Sequence, residues 1–417
     1  MEEQGTQRRR RLVLIPSPLQ GHISPMLQLG SILHSKGFSI TIAHPQLNSP
    51  DPSNHPDFIF LPLPDNLSAL NGSKNIIDLI ATLNENCTAP LTKCLAQVME
   101  QQQPDDQVAC IIYDTLLYFS EAVANHFKLP KIVLRTSSPS YLVAYRAMSR
   151  LQAEGYFPLQ EPVPDLYPLR FKDLPFSTLT LEKSLQLITI TGDIRTSSAI
   201  IWNTTDYLDP SSISKLQEHY HVPFFSIGPL HKLAPASSTS LLKEDTSCIA
   251  WLDKQVPNSV LYVSLGSVAT IDEKELIEMA WGLYGERCCI VKWAPQKEVL
   301  AHGAVGGFWS HCGWNSTLET ISEGVPTICR PFFLDQIVNA RYLTYVRRVG
   351  LELEHVSERE EIERAIKRLM VDKEGKEIRQ RAMDMKEKVR TSLCKGGSSY
   401  DSLNGLVEFI MSFGLPK

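Results

Sequence analysis

The run from Trp293 to Gln336 carries the densest set of residues able to do chemistry in the chain: W-A-P-Q-K-E-V-L-A-H-G-A-V-G-G-F-W-S-H-C-G-W-N-S-T-L-E-T-I-S-E-G-V-P-T-I-C-R-P-F-F-L-D-Q. An apolar strand pattern at 304–309 runs into Ser310-His311-Cys312-Gly313-Trp314-Asn315-Ser316, where a helical pattern begins. Gly313 permits a tight turn, and Asn315 and Ser316 are cap-type residues. The N–H groups at such a helix start, joined by side-chain donors from His311 and Ser316, make an anion site that suits a diphosphate. Glu319, one turn further on, can accept two hydrogen bonds from a ribose diol. Trp293 is expected to end a strand and to offer a flat face to a base. Asp335 and Gln336, after the next strand, offer a carboxylate and an amide to sugar hydroxyls.

A second constellation lies near the N-terminus. In Pro16-Ser17-Pro18-Leu19-Gln20-Gly21-His22-Ile23-Ser24-Pro25, His22 falls at a helix start. An imidazole near its ordinary pKa suits the removal of a proton from a hydroxyl nucleophile. Asp114 ends the strand pattern 108–113, at the same sheet edge, where a carboxylate can fix the tautomer of that imidazole. Ordinary structural readings stand beside these: a strand-end tryptophan packs in cores, Asp114 can cap the helix that follows, and His311 can be a satisfied turn histidine.

These residues need two layers of alternating elements to hold them. Near-continuous apolar strand patterns occur at 11–16, 38–44, 58–62, 108–113, 131–135, 198–203 and 224–228, with helical stretches such as 73–100 and 117–127 between them. A polar stretch at 230–245, rich in Pro, Ser and Ala, reads as a linker. Strands then resume at 259–264, 288–292, 304–309, 325–329 and 349–352, with helices at 272–283, 315–323, 336–346, 358–371, 373–393 and 398–413. Strands of this kind separated by helices imply parallel sheets covered on both faces. The expectation is an α/β fold of two doubly wound, Rossmann-like domains facing across a cleft, with ligands at the strand ends. The boundaries are 1–232 for the first domain, 233–246 for the linker, 247–396 for the second, and 397–417 for a last helix that packs back toward the first.

The length of 417 residues suits such an arrangement. A net charge of -5 argues against a nucleic-acid partner. Nine scattered cysteines with no C-x-x-C spacing argue against a zinc site and suit reduced thiols in the cytoplasm. Arg8 to Arg11 precede only four apolar residues, Leu12–Ile15, which is too short a run for a signal peptide, so the arginines read as a charged flank. No apolar run reaches membrane-spanning length, and neither a G-x-S-x-G elbow, a P-loop, a G-x-G-x-x-G nor an H-E-x-x-H motif occurs.

The Trp293–Gln336 span resembles, almost position for position, the signature box of plant secondary-product glycosyltransferases. H-C-G-W-N-S followed by Glu319 and closing in Asp335-Gln336 is very specific, and the P-x-x-G-H-x-x-P-M segment from Pro18 to Met26 extends the likeness. The resemblance implies the GT-B architecture and a family-1 UDP-glycosyltransferase, a hexosyltransferase. It implies a single displacement, inverting the anomeric centre, onto a hydroxyl of a small lipophilic acceptor. Trp293 would stack on uracil and Gln296 lie near the ribose and base. His311, Asn315 and Ser316 would hold the diphosphate with Ser267, and Glu319 the ribose. Trp314, Asp335 and Gln336 would contact the sugar, a closing Gln accompanying UDP-glucose and a closing His UDP-galactose. His22 would be the general base and Asp114 its partner, with no metal or further cofactor. The acceptor pocket would come from loops near 65–90, 136–150 and 180–195, on a cytoplasmic monomer.

One departure from the family pattern stands out. Members carry a further strand and a long loop where Trp281-Gly282-Leu283-Tyr284 here passes straight to Gly285-Glu286-Arg287. A few tens of residues are missing near 284–286. The expected consequence is either that strand 288–292 slides one place inward, carrying Trp293 about 4.8 Å with it, or that a gap opens in the sheet. The alternative function is therefore a family member with a truncated donor domain that at most binds UDP-sugar or a small ligand.

Overall fold

The computed structural model describes residues 9–67, 76–153, 163, 165–174, 191, 197–282, 288–353 and 358–414. They form two compact units. The first takes in the described residues up to Thr136, within Leu185–Leu241, and from Lys395 onward. The second takes in those within Ser137–Ser184 and Leu242–Cys394. The described residues of 137–174, expected in the first domain, therefore group with the second. Their helix α2 (Pro139–Ala153) shares an apolar cluster with Leu166, Phe171, Leu174 and Val338, which outweighs its place in the sequence.

The first unit is built on a parallel sheet of β1 (Arg9–Ile15), β2 (Ser39–Pro45), β3 (Ile59–Leu63), β4 (Asp106–Asp114), β5 (Lys131–Arg135), β6 (Ala199–Trp202) and β7 (Phe224–Ser226), in the order β3-β2-β1-β4-β5-β6-β7. β4 is central, and its Val108–Tyr113 run is buried throughout, as a strand covered on both faces must be. Ile15 is level with Tyr113, and Asp114 with Leu134, so the turns after β1, β4 and β5 meet at one carboxyl edge. Helix α1 (Gln20–Ser35) starts at that edge and buries Ile23, Met26, Leu27 and Leu29 in the core. The C-terminal helix Ser398–Ser412 adds Leu403, Leu406 and Ile410 to the same cluster.

Arg10 and Arg11 are more than a charged flank. Arg10 Nη1 donates to the carbonyls of Ile410 (3.1 Å) and Phe413 (2.7 Å), satisfying orphan groups at the end of the C-terminal helix. Arg11 pairs with Asp106 and donates to Thr41 Oγ1. The expected helix 73–100 is two helices where described, Ile76–Asn86 and Thr88–Gln101. Pro90 lies in the first turn of the second, where its missing N–H is harmless; within one continuous helix it would break a backbone hydrogen bond.

The second unit holds a parallel sheet of β8 (Val260–Ser264), β9 (Val305–Ser310), β10 (Thr327–Cys329) and β11 (Gly350–Glu352), in the order β11-β10-β9-β8. β9 is buried throughout, and its alternating side chains go to opposite faces. Trp309 joins Met279, Ile328, Leu351 and Ile362, while Phe308 joins Leu252, Val299, Leu300 and Val325.

The strand expected at 288–292 is absent. Cys288, Cys289 and Ile290 are irregular and exposed, Ile290 to 90%. A β-branched run becomes a strand only on a pleated, half-buried surface, and these residues have none. Neither predicted consequence of the missing segment occurs: no strand slides inward, and β8 stays paired to β9 as the edge strand among the described residues. β8 is only half-buried along its length. Leu276, Ile277 and Trp281 on helix α3 (Glu273–Gly282) are likewise exposed. The junction at 284–286 itself lies outside the described residues.

Candidate active site

In the first unit, His22 occupies the first turn of α1, and Asp114 is the last residue of β4. Because β1 and β4 are sheet neighbours, the two side chains meet. His22 Nδ1 lies 2.7 Å from Asp114 Oδ2, the imidazole partly open and the carboxylate fully buried. Asp114 Oδ1 accepts the Leu116 N–H (2.9 Å), which fixes the plane of the carboxylate. An Nδ1–H held by this acceptor leaves the basic lone pair of the neutral ring on Nε2. A third partner escaped the sequence reasoning. Thr136 Oγ1, just after β5, lies 3.0 Å from His22 Nδ1. Its only sequence signal is its place at the end of a strand.

Of the expected acceptor loops, residues 68–75 and 180–195 apart from Thr191 lie outside the described residues. Thr191 O is held by Arg135 Nη2 (2.6 Å) and Thr115 Oγ1 (3.2 Å), the residues beside Thr136 and Asp114.

In the second unit, Ser264, Ser310 and Cys329 are level, so the turns after β8, β9 and β10 share one carboxyl edge. The chain leaves β9 through Cys312, which takes the left-handed φ of 63°. This conformation is costly for a side-chain-bearing residue. It is held by the Ser310 Oγ that accepts the Cys312 N–H (3.0 Å) and by the Thr317 hydroxyl on the Cys312 carbonyl (3.3 Å). Helix α5 (Trp314–Glu323) follows, with no side-chain cap and no acidic residue in its first turn, so its positive dipole end is not neutralised locally.

His311 is wedged between two glycines. A Cβ on Gly266 or Gly313 would sit 2.7 or 2.5 Å from His311 Nε2, so a side chain at either place would push the ring aside. Gly266 also has a φ of +82°. Burial pushes the His311 imidazole down to about 4, so the ring is neutral at pH 7; a hydrogen bond with the Ser264 backbone opposes the shift. His311 Nδ1 is buried with no hydrogen-bond partner among the described residues, an arrangement that native structures seldom leave empty. Ser267 is exposed in the turn beside Gly266.

The residues expected at the nucleoside end form a network. Gln296, which opens helix α4 (Gln296–Ala301), donates through Nε2 to Ser316 Oγ (2.8 Å) and Glu319 Oε2 (2.7 Å), both on α5. Its Oε1 accepts from the Tyr262 hydroxyl (3.3 Å), which stacks on Phe308; burial holds Tyr262 well above the usual tyrosine range. Tyr262 was missed because a β8 tyrosine reads as core. Trp293 is half-buried but ends no strand; its carbonyl accepts the Asp245 N–H (2.8 Å). No strand forms at 288–292 to carry Trp293 inward, and Gln296 three residues on reaches Ser316 and Glu319.

Trp314 is buried and Asn315 half-buried at the start of α5. Helix α6 (Asp335–Arg341) begins after Leu334, whose φ is 53°. Asp335 is half-buried. Gln336 is buried, and its Oε1 accepts the N–H groups of Phe332 (2.9 Å) and Phe333 (3.2 Å), so the amide is oriented with Nε2 as its donor end. Among the described residues no group of three His, Cys, Asp or Glu could hold a metal ion. None of the described helices is long and apolar enough to cross a membrane.

Residues 246–386 match the family model "UDP-glucoronosyl and UDP-glucosyl transferase". The chain is 49% identical over 445 residues to UDP-glycosyltransferase 76E1 of Solanum lycopersicum, covering 97% of this chain and 93% of the relative. It is 48% identical to UDP-glycosyltransferase 76H1 of Stevia rebaudiana, with 93% and 100% covered. The solved structure of Phytolacca americana UGT2 complexed with UDP-2fluoro-glucose and pterostilbene is similar with a TM-score of 0.85 at 26% identity, covering 97% of this chain and 100% of that one. The alignment with the tomato relative runs over 445 positions, more than the 417 residues of this chain, so the relative carries residues that this chain lacks.

Proposed function

The chain belongs to the family of UDP-glucosyl and UDP-glucuronosyl transferases, enzymes that move a sugar from a UDP-sugar to an acceptor, and on that premise we propose that it glucosylates a hydroxyl of a small lipophilic compound with UDP-glucose, inverting the anomeric centre. The observation that carries the reading is the 2.7 Å contact between His22 Nδ1 and the buried Asp114 carboxylate. His22 Nε2 takes the acceptor's proton as the acceptor oxygen bonds to the anomeric carbon and the bond to UDP breaks. Asp114 balances the imidazolium, and the proton later leaves to solvent. One displacement of this kind inverts the carbon.

At the donor end, the α5 N-terminus with Asn315, Ser316 and Ser267 would take the diphosphate, whose charge grows as the sugar leaves. His311 Nδ1 would meet a phosphate oxygen, and that anion would draw a proton onto the ring. Glu319 would accept from the ribose diol, Trp293 and Gln296 would flank the base, and Trp314, Asp335 and Gln336 would contact glucose. UDP-2fluoro-glucose and pterostilbene in the Phytolacca americana enzyme support this donor and an acceptor of that size. The intact Gln296–Ser316–Glu319 network gives the truncated-donor-site reading no support. Nine free cysteines suit a cytoplasmic enzyme.

The test is glucoside formation from UDP-glucose and a simple phenol by the protein and by His22→Ala. The expected loss is about 100- to 10,000-fold in kcat; a variant as fast as wild type overturns the assignment.

A further inference from the structure

We infer that Asn339 is a positioning residue for sugar transfer, holding the Asp335 carboxylate and the His311 turn in one fixed relation. The inference rests on the reading of Asp335 as a sugar contact. Asn339 is buried on α6, one turn after Asp335, and both ends of its amide are hydrogen-bonded. Nδ2 donates to Asp335 Oδ2 (2.9 Å) and to the carbonyl of Cys312 (3.0 Å), the left-handed residue between His311 and Gly313. Oδ1 accepts from Ser138 Oγ (2.9 Å).

The direction of these bonds is fixed by proton count. Ser138 is fully buried, and its Oγ accepts the Tyr141 N–H (3.2 Å) as the cap of α2 and the Ser140 hydroxyl (3.2 Å). Its own proton is therefore left for Asn339 Oδ1. That polarity turns the NH2 end of the amide toward its two acceptors, the Asp335 carboxylate and the Cys312 carbonyl. Asn339 thus commits Asp335 Oδ2 and sets the plane of the carboxylate, with no reach of its own toward substrate. The same amide ties the end of β9 to the start of α6, the two places from which diphosphate and sugar contacts are offered. An aspartate here has nearly the same shape but presents an oxygen where the NH2 stood, facing another carboxylate and a carbonyl. It reverses the interaction without opening a cavity.

The experiment is a double-mutant cycle on the full chain, measuring kcat/KM for UDP-glucose with a simple phenol, beside the shift in melting temperature given by UDP. Asn339→Asp is expected to lower kcat/KM by about 100-fold, the effect of a displacement of about 1 Å in a reacting pair, while UDP still raises the melting temperature. In an Asp335→Ala background the same change is expected to have little further effect, because residues acting as a unit are not additive. Ser138→Ala, which removes the hydroxyl that orients the amide together with its cap on α2, is expected to give a several-fold loss that also vanishes in that background; a loss through the cap alone would persist there, so this variant decides the matter if Asn339→Asp does not fold. Wild-type kcat/KM in both variants, or losses that add in full to Asp335→Ala, would overturn the inference. An Asp335→Ala protein with unchanged kcat/KM would instead overturn the reading of Asp335 on which it rests.

Discussion

Lowering the pH should destabilise the protein through His311, by an amount its surroundings set. The folded ring has its pKa at about 4 because it is buried between Gly266 and Gly313; the unfolded ring titrates near 6.5. A depressed folded pKa means that the unfolded chain binds this proton first. The stabilising contribution is therefore complete above about pH 6.5 and is lost as the pH falls toward 4. Integrating between those values costs about 2 kcal/mol at pH 5 and about 3 kcal/mol near pH 4. His44 and His55 are also held low by burial, so the wild-type acid limb alone is not diagnostic. The measurement is urea unfolding of wild type and His311→Asn at pH 7.5, 6 and 5. Tryptophan fluorescence suits it, since Trp251, Trp281, Trp293, Trp309 and Trp314 lie in the second unit and only Trp202 in the first. The gap between the two proteins should narrow by about 2 kcal/mol from pH 7.5 to pH 5. Parallel acid limbs would refute the argument, because they would mean that the ring is not desolvated.

Glu319→Ala should weaken UDP binding by about 10- to 100-fold, the worth of charge-assisted hydrogen bonds to a diol; calorimetry showing unchanged affinity would remove its ribose role. UDP should raise the melting temperature of the wild-type chain, and Trp293→Ala should lose most of that rise; a full rise in the variant would exclude Trp293 from the base site. Gln336→His replaces an oxygen that accepts two backbone N–H groups with a ring able to accept one, and should shift the ratio of UDP-glucose to UDP-galactose use. An unaltered ratio would count against Gln336 as a sugar contact.

Much of the fold was legible because its signals are local. The apolar run of β4, the strand–turn–helix junction at 310–316 and the helical spacing of Leu403, Leu406 and Ile410 are patterns that a few neighbouring residues define. The meeting of His22 and Asp114 could be anticipated from residue type and from their places at one sheet edge. Local pattern failed where a partner far along the chain decides. Residues 288–292 have the composition of a strand, yet no strand among the described residues pairs with them, and a strand does not exist without a partner.

Sequence alone thus determined most of the elements, their order and the inventory of reactive groups. The tertiary structure alone decided which of those groups meet. Sheet order β1-β4-β5 brings Asp114 and Thr136 to His22 from 92 and 114 residues away. Burial between two glycines makes His311 neutral, and Ser138, 201 residues from Asn339, fixes the direction of that amide. The physical reason is the range of the forces involved. Backbone preference and side-chain period act over a few residues, whereas desolvation, hydrogen-bond polarity and strand pairing depend on whatever the fold places a few ångströms away.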